Sequence, residues 1–214
     1  MTADPPPGTK GPAPFRPATP VVIGIVGGIA AGKSAVAERF ALHGLWPVDA
    51  DRIARATSDL PEVLAEVAAA FGPAAVAGGR LDRAALATRV FADPAARARL
   101  EAILHPRIRA TIRQELDAAR AAGHSVLLDV PLLFENGLLA LCDHVVFVDA
   151  PEPVRQARAK TRGWADGELA RREQAQLPLA EKRARAGFVV DNGGDRAAMA
   201  AQVAAILQQL ATPR

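Results

Sequence analysis

The stretch that most constrains this chain is Val21-Val-Ile-Gly-Ile-Val-Gly27-Gly28-Ile29-Ala30-Ala31-Gly32-Lys33-Ser34. Its first six residues, mostly β-branched, read as a buried strand. Gly-x-x-x-x-Gly-Lys-Ser follows from Gly27 to Ser34, and then an amphipathic helix with Val36, Ala37, Phe40 and Ala41 on one face and Gly44 beyond its end. Strand, glycine loop and helix in that order make a phosphate site. Gly27 and Gly32 are expected to take positive φ and let the backbone approach a ligand. Successive N–H groups then form an anion nest at the positive end of a helix dipole. Lys33 supplies a point charge for the β- and γ-phosphates, and Ser34 a hydroxyl for Mg²⁺.

The 214 residues suit one domain or one domain with insertions, and half of them are apolar. No run of about 18 apolar residues is present, and Met1-Thr-Ala-Asp-Pro-Pro-Pro has no secretory pattern, so no membrane span is expected and a cytoplasmic location is. Cys142, the single cysteine, excludes an internal disulfide, fits a reducing compartment, and reads as a core filler. The net charge is +3, and 22 of 26 basic residues are Arg, but these are scattered among acids. With aromatics at 4% and no Tyr, no stacking platform for nucleic acid is visible.

Residues 1–20, rich in Pro, Gly and Thr, read as a disordered tail before a domain over 21–214. Leu45–Val48 reads as a second strand ending at Asp49-Ala-Asp51, where Asp51 doubles as a helix N-cap. Residues 57–123 read as helical, broken at Phe71-Gly-Pro, at Ala77-Gly-Gly-Arg80 and at His105-Pro106. That is longer than a crossover needs and reads as a substrate-binding insertion. Ser125–Val130 and His144–Asp149 are further buried strands, with Asp129 at a strand end and Glu135 in the loop beyond. A basic helix from Pro153 carries Arg158 and Arg162 on one face, either solvated or closing over phosphates. A single charged helical stretch, Arg171 to Arg185, comes next, then a strand from Phe188 and an amphipathic helix, Ala197 to Leu210. The alternation predicts an α/β fold, a doubly wound parallel sheet of about five strands, with Lys33, Asp51, Asp129 and Glu135 along one edge.

Together these segments resemble the dephospho-CoA kinase family, from Val22 to about Asn192. The resemblance is carried by Gly-Gly-Ile-Ala-Ala-Gly-Lys-Ser, Val48-Asp49-Ala50-Asp51, Gly79-Arg-Leu-Asp-Arg83, Val90-Phe91, His105-Pro106, Val130-Pro-Leu-Leu-Phe-Glu135, Val190-Asp-Asn192 and a lid-like Arg172-Glu-Gln-Ala-Gln176 before Lys182. It implies a P-loop kinase that uses ATP and Mg²⁺ to phosphorylate the ribose 3′-hydroxyl of dephospho-CoA, giving CoA and ADP. The lid then spans about 154–186. The resemblance implies Asp51, Lys33 and Arg162 as catalytic residues. It implies an ATP site of Gly28, Ile29, Ala30, Ala31, Gly32, Lys33, Ser34, Ala35, Arg158, Arg162 and Asn192, with Asn192 and Arg162 bordering the adenine. Asp49, Asp51, Arg83, His105, Leu133 and Glu135 are the implied acceptor site, and Ser34 and Asp129 the Mg²⁺ ligands. It also implies neither nucleic acid nor membrane as a partner, and a monomer or weak homo-oligomer. Three departures from the family pattern stand out. Ala30-Ala31 stands for Gly-Ser, Ala35 for Thr, and Gly187 for Asp. An alanine in the loop keeps the nest if its φ stays negative, so a subtle effect is expected.

Two further readings remain open on the residues. Kinases of nucleosides or shikimate share fold and chemistry, but Pro-Leu-Leu-Phe-Glu and His-Pro argue against them. A GTP-driven switch needs Asn-Lys-x-Asp, whereas neither Asn136 nor Asn192 precedes a Lys.

Overall fold

The computed structural model describes residues 12–212. In chain order the elements are β1 (Val22–Gly27), α1 (Lys33–Leu42), β2 (Trp46–Asp49), α2 (Ala50–Ser58), α3 (Pro61–Phe71), β3 (Val76–Ala77), β4 (Arg80–Leu81), α4 (Arg83–Ala92), α5 (Pro94–Ala121), β5 (Val126–Asp129), β6 (His144–Asp149), α6 (Glu152–Thr161), α7 (Glu168–Gln174), α8 (Leu179–Ala184), β7 (Phe188–Asp191) and α9 (Arg196–Ala211). Among them no helix is long and apolar enough to cross a membrane. Two compact units emerge: one takes the chain up to Pro47 and again from Ala119, the other Val48–Ala118.

The first unit is built on a five-stranded sheet in the order β2-β5-β1-β6-β7. β1 lies parallel to both β5 and β6, and β6 parallel to β7. The strands are near-continuous apolar runs because both faces are covered: Val22, Ile23, Ile25, Val126, Leu128, Val146 and Val148 are fully buried. On one face Val36 and Phe40 of α1 and Met199, Val203, Ile206 and Leu207 of α9 join one core with Ile23, Ile25, Val146 and Val148. Ala41, expected on the buried face of α1, is exposed. β1 is flanked by strands that are not its sequence neighbours. This reversal of strand order opens a crevice at the carboxyl ends of the strands, where ligands of open α/β sheets bind. The doubly wound α/β expectation holds.

Of the expected disordered tail, residues 1–11 lie outside the described residues. The remainder has no helix or strand but is tied down. The Phe15 N–H donates to the His43 carbonyl at 2.8 Å, and the Phe15 ring packs on the core. Cys142 lies against β1, where a Cβ at Gly24 would come within 2.7 Å of its Sγ. Burial, with the Asp143 charge beside it, pushes the Cys142 thiol up to about 12, so it fills space and is no nucleophile.

The second unit has its own core of Val63, Val67, Phe71, Ala75, Leu81 and Leu86. Of the breaks read from sequence, the one at Ala77-Gly-Gly-Arg80 holds and the one at His105-Pro106 does not. Ala77-Gly-Gly-Arg80 is a hairpin, β3 against β4, turned by Gly78 and Gly79 at φ 57° and 73°. Two successive positive φ values are what a tight two-residue hairpin turn requires, which explains the Gly-Gly. At His105-Pro106 the helix does not stop: α5 runs through Pro106 over 28 residues. Proline removes one N–H from the ladder. One turn back, Arg107 Nη1 donates to the Ile103 carbonyl at 2.8 Å, adding a side-chain bond beside the interruption. The expected stretch Arg171 to Arg185 is two helices, α7 and α8: Pro178, which has no N–H to continue α7 and whose ring locks φ, here −53° with ψ 140°, precedes α8.

Candidate active site

The loop between β1 and α1 is built from four glycine or alanine decisions. Gly27 does not take positive φ as expected. Its role is space. A Cβ there would lie 2.6 Å from the Val148 carbonyl oxygen of β6, its register partner. Gly28 is similarly close-packed, with Arg155 Cδ 3.3 Å from where a Cβ would stand. Gly32 has φ 88° and caps α1 with no side-chain hydrogen bond, as expected. Ala30 also has positive φ, 59°, alone in this among described non-glycine residues. The condition set for a subtle effect, a negative φ at this alanine, is therefore not met. The loop needs the left-handed conformation here whatever the side chain, and an alanine holds it at a cost of about 1–2 kcal/mol.

Carbonyls of this loop are taken from outside. Asn192, buried at the end of β7, donates from Nδ2 to the Ala31 carbonyl at 2.8 Å and to that of Gly32 at 3.4 Å. Arg158 of α6 donates from Nη1 to Ala31 at 2.9 Å and Ala30 at 3.4 Å, and from Nη2 to the Asn192 carbonyl at 2.8 Å. The N–H groups of Gly32, Lys33 and Ser34 have no backbone acceptor among the described residues, so the helix N-terminus offers its donors to an anion.

Lys33 Nζ is ion-paired with Asp129 at the end of β5. β5 registers against β1 with Asp129 level with Ile25, which brings the carboxylate to the loop. Ser34 is exposed in the first turn of α1, next to the expected Ala35. Among the described residues no three His, Cys, Asp or Glu side chains gather into a metal-holding group. A Mg²⁺ carried on nucleotide phosphates needs only one or two protein oxygens, and the Ser34 hydroxyl and Asp129 carboxylate are hard-oxygen donors of the right kind. The residues therefore fit that ion.

Several other expected site residues are placed differently. Arg158, half-buried, and Asn192, buried, donate to loop carbonyls, as described. Arg162, the C-cap of α6, is exposed with no side-chain partner among the described residues. Leu133 is fully buried beneath Gly24, so it supports β1 and presents nothing to an acceptor. Glu135 accepts from the Leu177 N–H at 3.1 Å and pairs with Lys182 of α8 at 2.8 Å. Lys182 is 1% exposed and also donates to Gln176 Oε1 at 2.8 Å. Burial raises the Glu135 carboxyl, but the Lys182 hydrogen bond, with the backbone donors and the Lys182 charge, outweighs it and holds the group below its ordinary value.

In the second unit Asp49, not Asp51, is the N-cap of α2. Its Oδ1 accepts from the N–H groups of Asp51 at 2.8 Å and Arg52 at 3.0 Å. Asp51 is exposed in the first turn, its carboxylate free of hydrogen bonds among the described residues. Arg83 is exposed at the start of α4, and His105 half-buried within α5.

Sequence reasoning missed Lys182 and Arg155 as structural centres. Arg155 is buried, donates to the Ala150 carbonyl at 3.1 Å and pairs with Glu173 of α7. The available signal was weak: a basic residue on an otherwise amphipathic helix.

A parallel sheet with this strand order and an open glycine loop carrying Lys-Ser at its centre defines a P-loop kinase. Within that class the chain belongs to the dephospho-CoA kinase family: the model described as Dephospho-CoA kinase matches residues 21–198. A Deinococcus radiodurans protein named dephospho-CoA kinase is 48% identical over 94% of this chain and 98% of its own length. Its namesake from Anaeromyxobacter dehalogenans is 47% identical over 88% and 92%. The crystal structure of TT1252 from Thermus thermophilus superposes with a TM-score of 0.78 at 38% identity, covering 91% of this chain and all of that one. The resemblance read from the motifs is thereby established.

Proposed function

We propose that this chain transfers the γ-phosphoryl group of ATP to the ribose 3′-hydroxyl of dephospho-CoA. The observation that carries the reading is the family match across residues 21–198, which includes the loop whose donors stand open. In the transfer a bond forms between the 3′-oxygen and the γ-phosphorus. The bond from that phosphorus to the β,γ-bridging oxygen breaks, ADP departs, and the hydroxyl proton passes to a carboxylate.

The open N–H groups of Gly32, Lys33 and Ser34 hold the phosphates, and Lys33 exchanges Asp129 for the β- and γ-oxygens as charge accumulates there. Ser34 and Asp129 would hold Mg²⁺, which would supply charge neutralisation of the transferring group. Arg162 adds a second positive charge from the end of α6. Asp51 takes the hydroxyl proton, since its carboxylate is not spent on capping, while Asp49 fixes the turn that presents it. Arg83 and His105 position the acceptor, while Glu135 holds Lys182 and the Leu177 N–H.

Purified protein should release ADP from Mg-ATP with dephospho-CoA and not with adenosine, AMP or shikimate, and CoA should appear in equal amount. ADP release driven by another acceptor would move the substrate assignment. Asp51→Asn is expected to lower kcat about 10- to 100-fold and leave ATP affinity unchanged, because a base is the smaller part of phosphoryl transfer. Turnover near the wild-type rate would remove Asp51 from the mechanism.

A further inference from the structure

Ala30 holds a left-handed φ of 59° within the glycine loop that precedes the open N–H groups of Gly32, Lys33 and Ser34. An alanine leaves this region when nothing holds it there. What holds it is visible on the carbonyl side of the loop. Arg158 and Asn192 between them donate to the carbonyls of Ala30, Ala31 and Gly32 and are tied to each other through the Asn192 carbonyl. Asn192 is buried and packed so closely that a Cβ at Gly32 would overlap its Nδ2. Each of these donors comes from more than 120 residues further along the chain, so the loop cannot keep them by local structure alone.

We infer that Arg158 and Asn192 are positioning residues that keep the strained loop in its phosphate-binding shape, and that their importance in this chain follows from Ala30. They act through the loop's carbonyls and do not themselves bind ATP. Once the brace is cut, Ala30 relaxes to negative φ and only a fraction of molecules carries a competent nest. Apparent affinity falls by that fraction. Once nucleotide is bound the nest is re-formed, so turnover at saturation changes little.

A glycine at 30 adopts the same φ without strain. It should therefore repair a broken brace while doing little to an intact one. The experiment is a double-mutant cycle on ATP affinity measured without acceptor, which keeps it separate from the assay of acceptor choice that tests the proposed function. Asn192→Asp keeps the shape of the side chain and replaces its donor with an acceptor facing the Ala31 carbonyl. It is expected to weaken ATP binding about tenfold. Ala30→Gly alone should stay within about twofold of wild type, and the double variant should return to within about threefold. Kinetically, KM for ATP should rise in Asn192→Asp while kcat at saturating ATP stays within about twofold. Arg158→Met supplies the same cycle should Asn192→Asp fail to fold. Equal losses with and without Ala30→Gly would overturn the inference, since a direct ligand of ATP cannot be replaced by a change in backbone freedom; so would unchanged affinity in both single brace variants.

Discussion

Lys33→Ala should lower kcat with dephospho-CoA by about 10²–10³-fold, equivalent to about 3–4 kcal/mol of transition-state stabilisation. Lys33 is the one side-chain cation within the glycine loop, and it follows Gly32, where the backbone N–H groups are open. Phosphoryl transfer asks the protein mainly for positioning and charge. The neutral N–H groups persist in the variant and still bind ATP, so the loss falls on kcat more than on KM. Folding should be nearly unaffected. The Lys33–Asp129 pair is partly solvated, with side-chain exposures of 20% and 28%, and such pairs are worth about 1 kcal/mol or less. Steady-state kinetics beside a thermal melt separates the two effects. A kcat within about threefold of wild type in a folded Lys33→Ala protein would show that the charge acts elsewhere.

The parts of this molecule that were legible in sequence are those whose signal is local. β1, β5 and β6 are buried on both faces, so each spells itself as an unbroken apolar run. Lys33, Ser34 and Asp129 fall at their ends, and parallel topology then gathers them without any further information. What escaped depends on partners remote in sequence. Nothing near Gly27 says that its missing Cβ makes room for Val148, and nothing near Ala30 says that it will be held at positive φ. Arg158 reads as a solvated or lid arginine until the fold brings Ala31 to it from 127 residues away. Pro106 reads as a stop because a proline usually is one, yet α5 continues on both sides of it. Asp49 and Asp51 compete for one capping role two residues apart, a difference below the resolution of pattern reading.

The Glu135–Lys182 pair should prove strongly asymmetric. Glu135→Gln removes the counter-charge from an ammonium that is 1% exposed and leaves it only neutral amide oxygens as acceptors, so it should destabilise by about 3 kcal/mol, roughly 10 °C in Tm. Lys182→Met fills the same buried space with an apolar chain and releases Glu135, which is solvent-facing, to water. The expected cost is about 1 kcal/mol. The pH dependence has a definite sign. The folded-state Glu135 carboxyl lies below its ordinary value of 4.5, so its contribution is complete above that pH and is lost as pH falls through the lowered folded-state value. Melts of wild type and Glu135→Gln should therefore lie furthest apart at neutral pH and draw together in acid, beginning below about pH 4.5. Because Glu135 sits in the loop after β5 and Lys182 on α8, loss of the pair should also loosen α8, read as faster amide exchange over Leu179–Ala184. Equal losses of stability in the two variants would mean that the burial of Lys182, rather than the pairing of its charge, governs this corner of the fold.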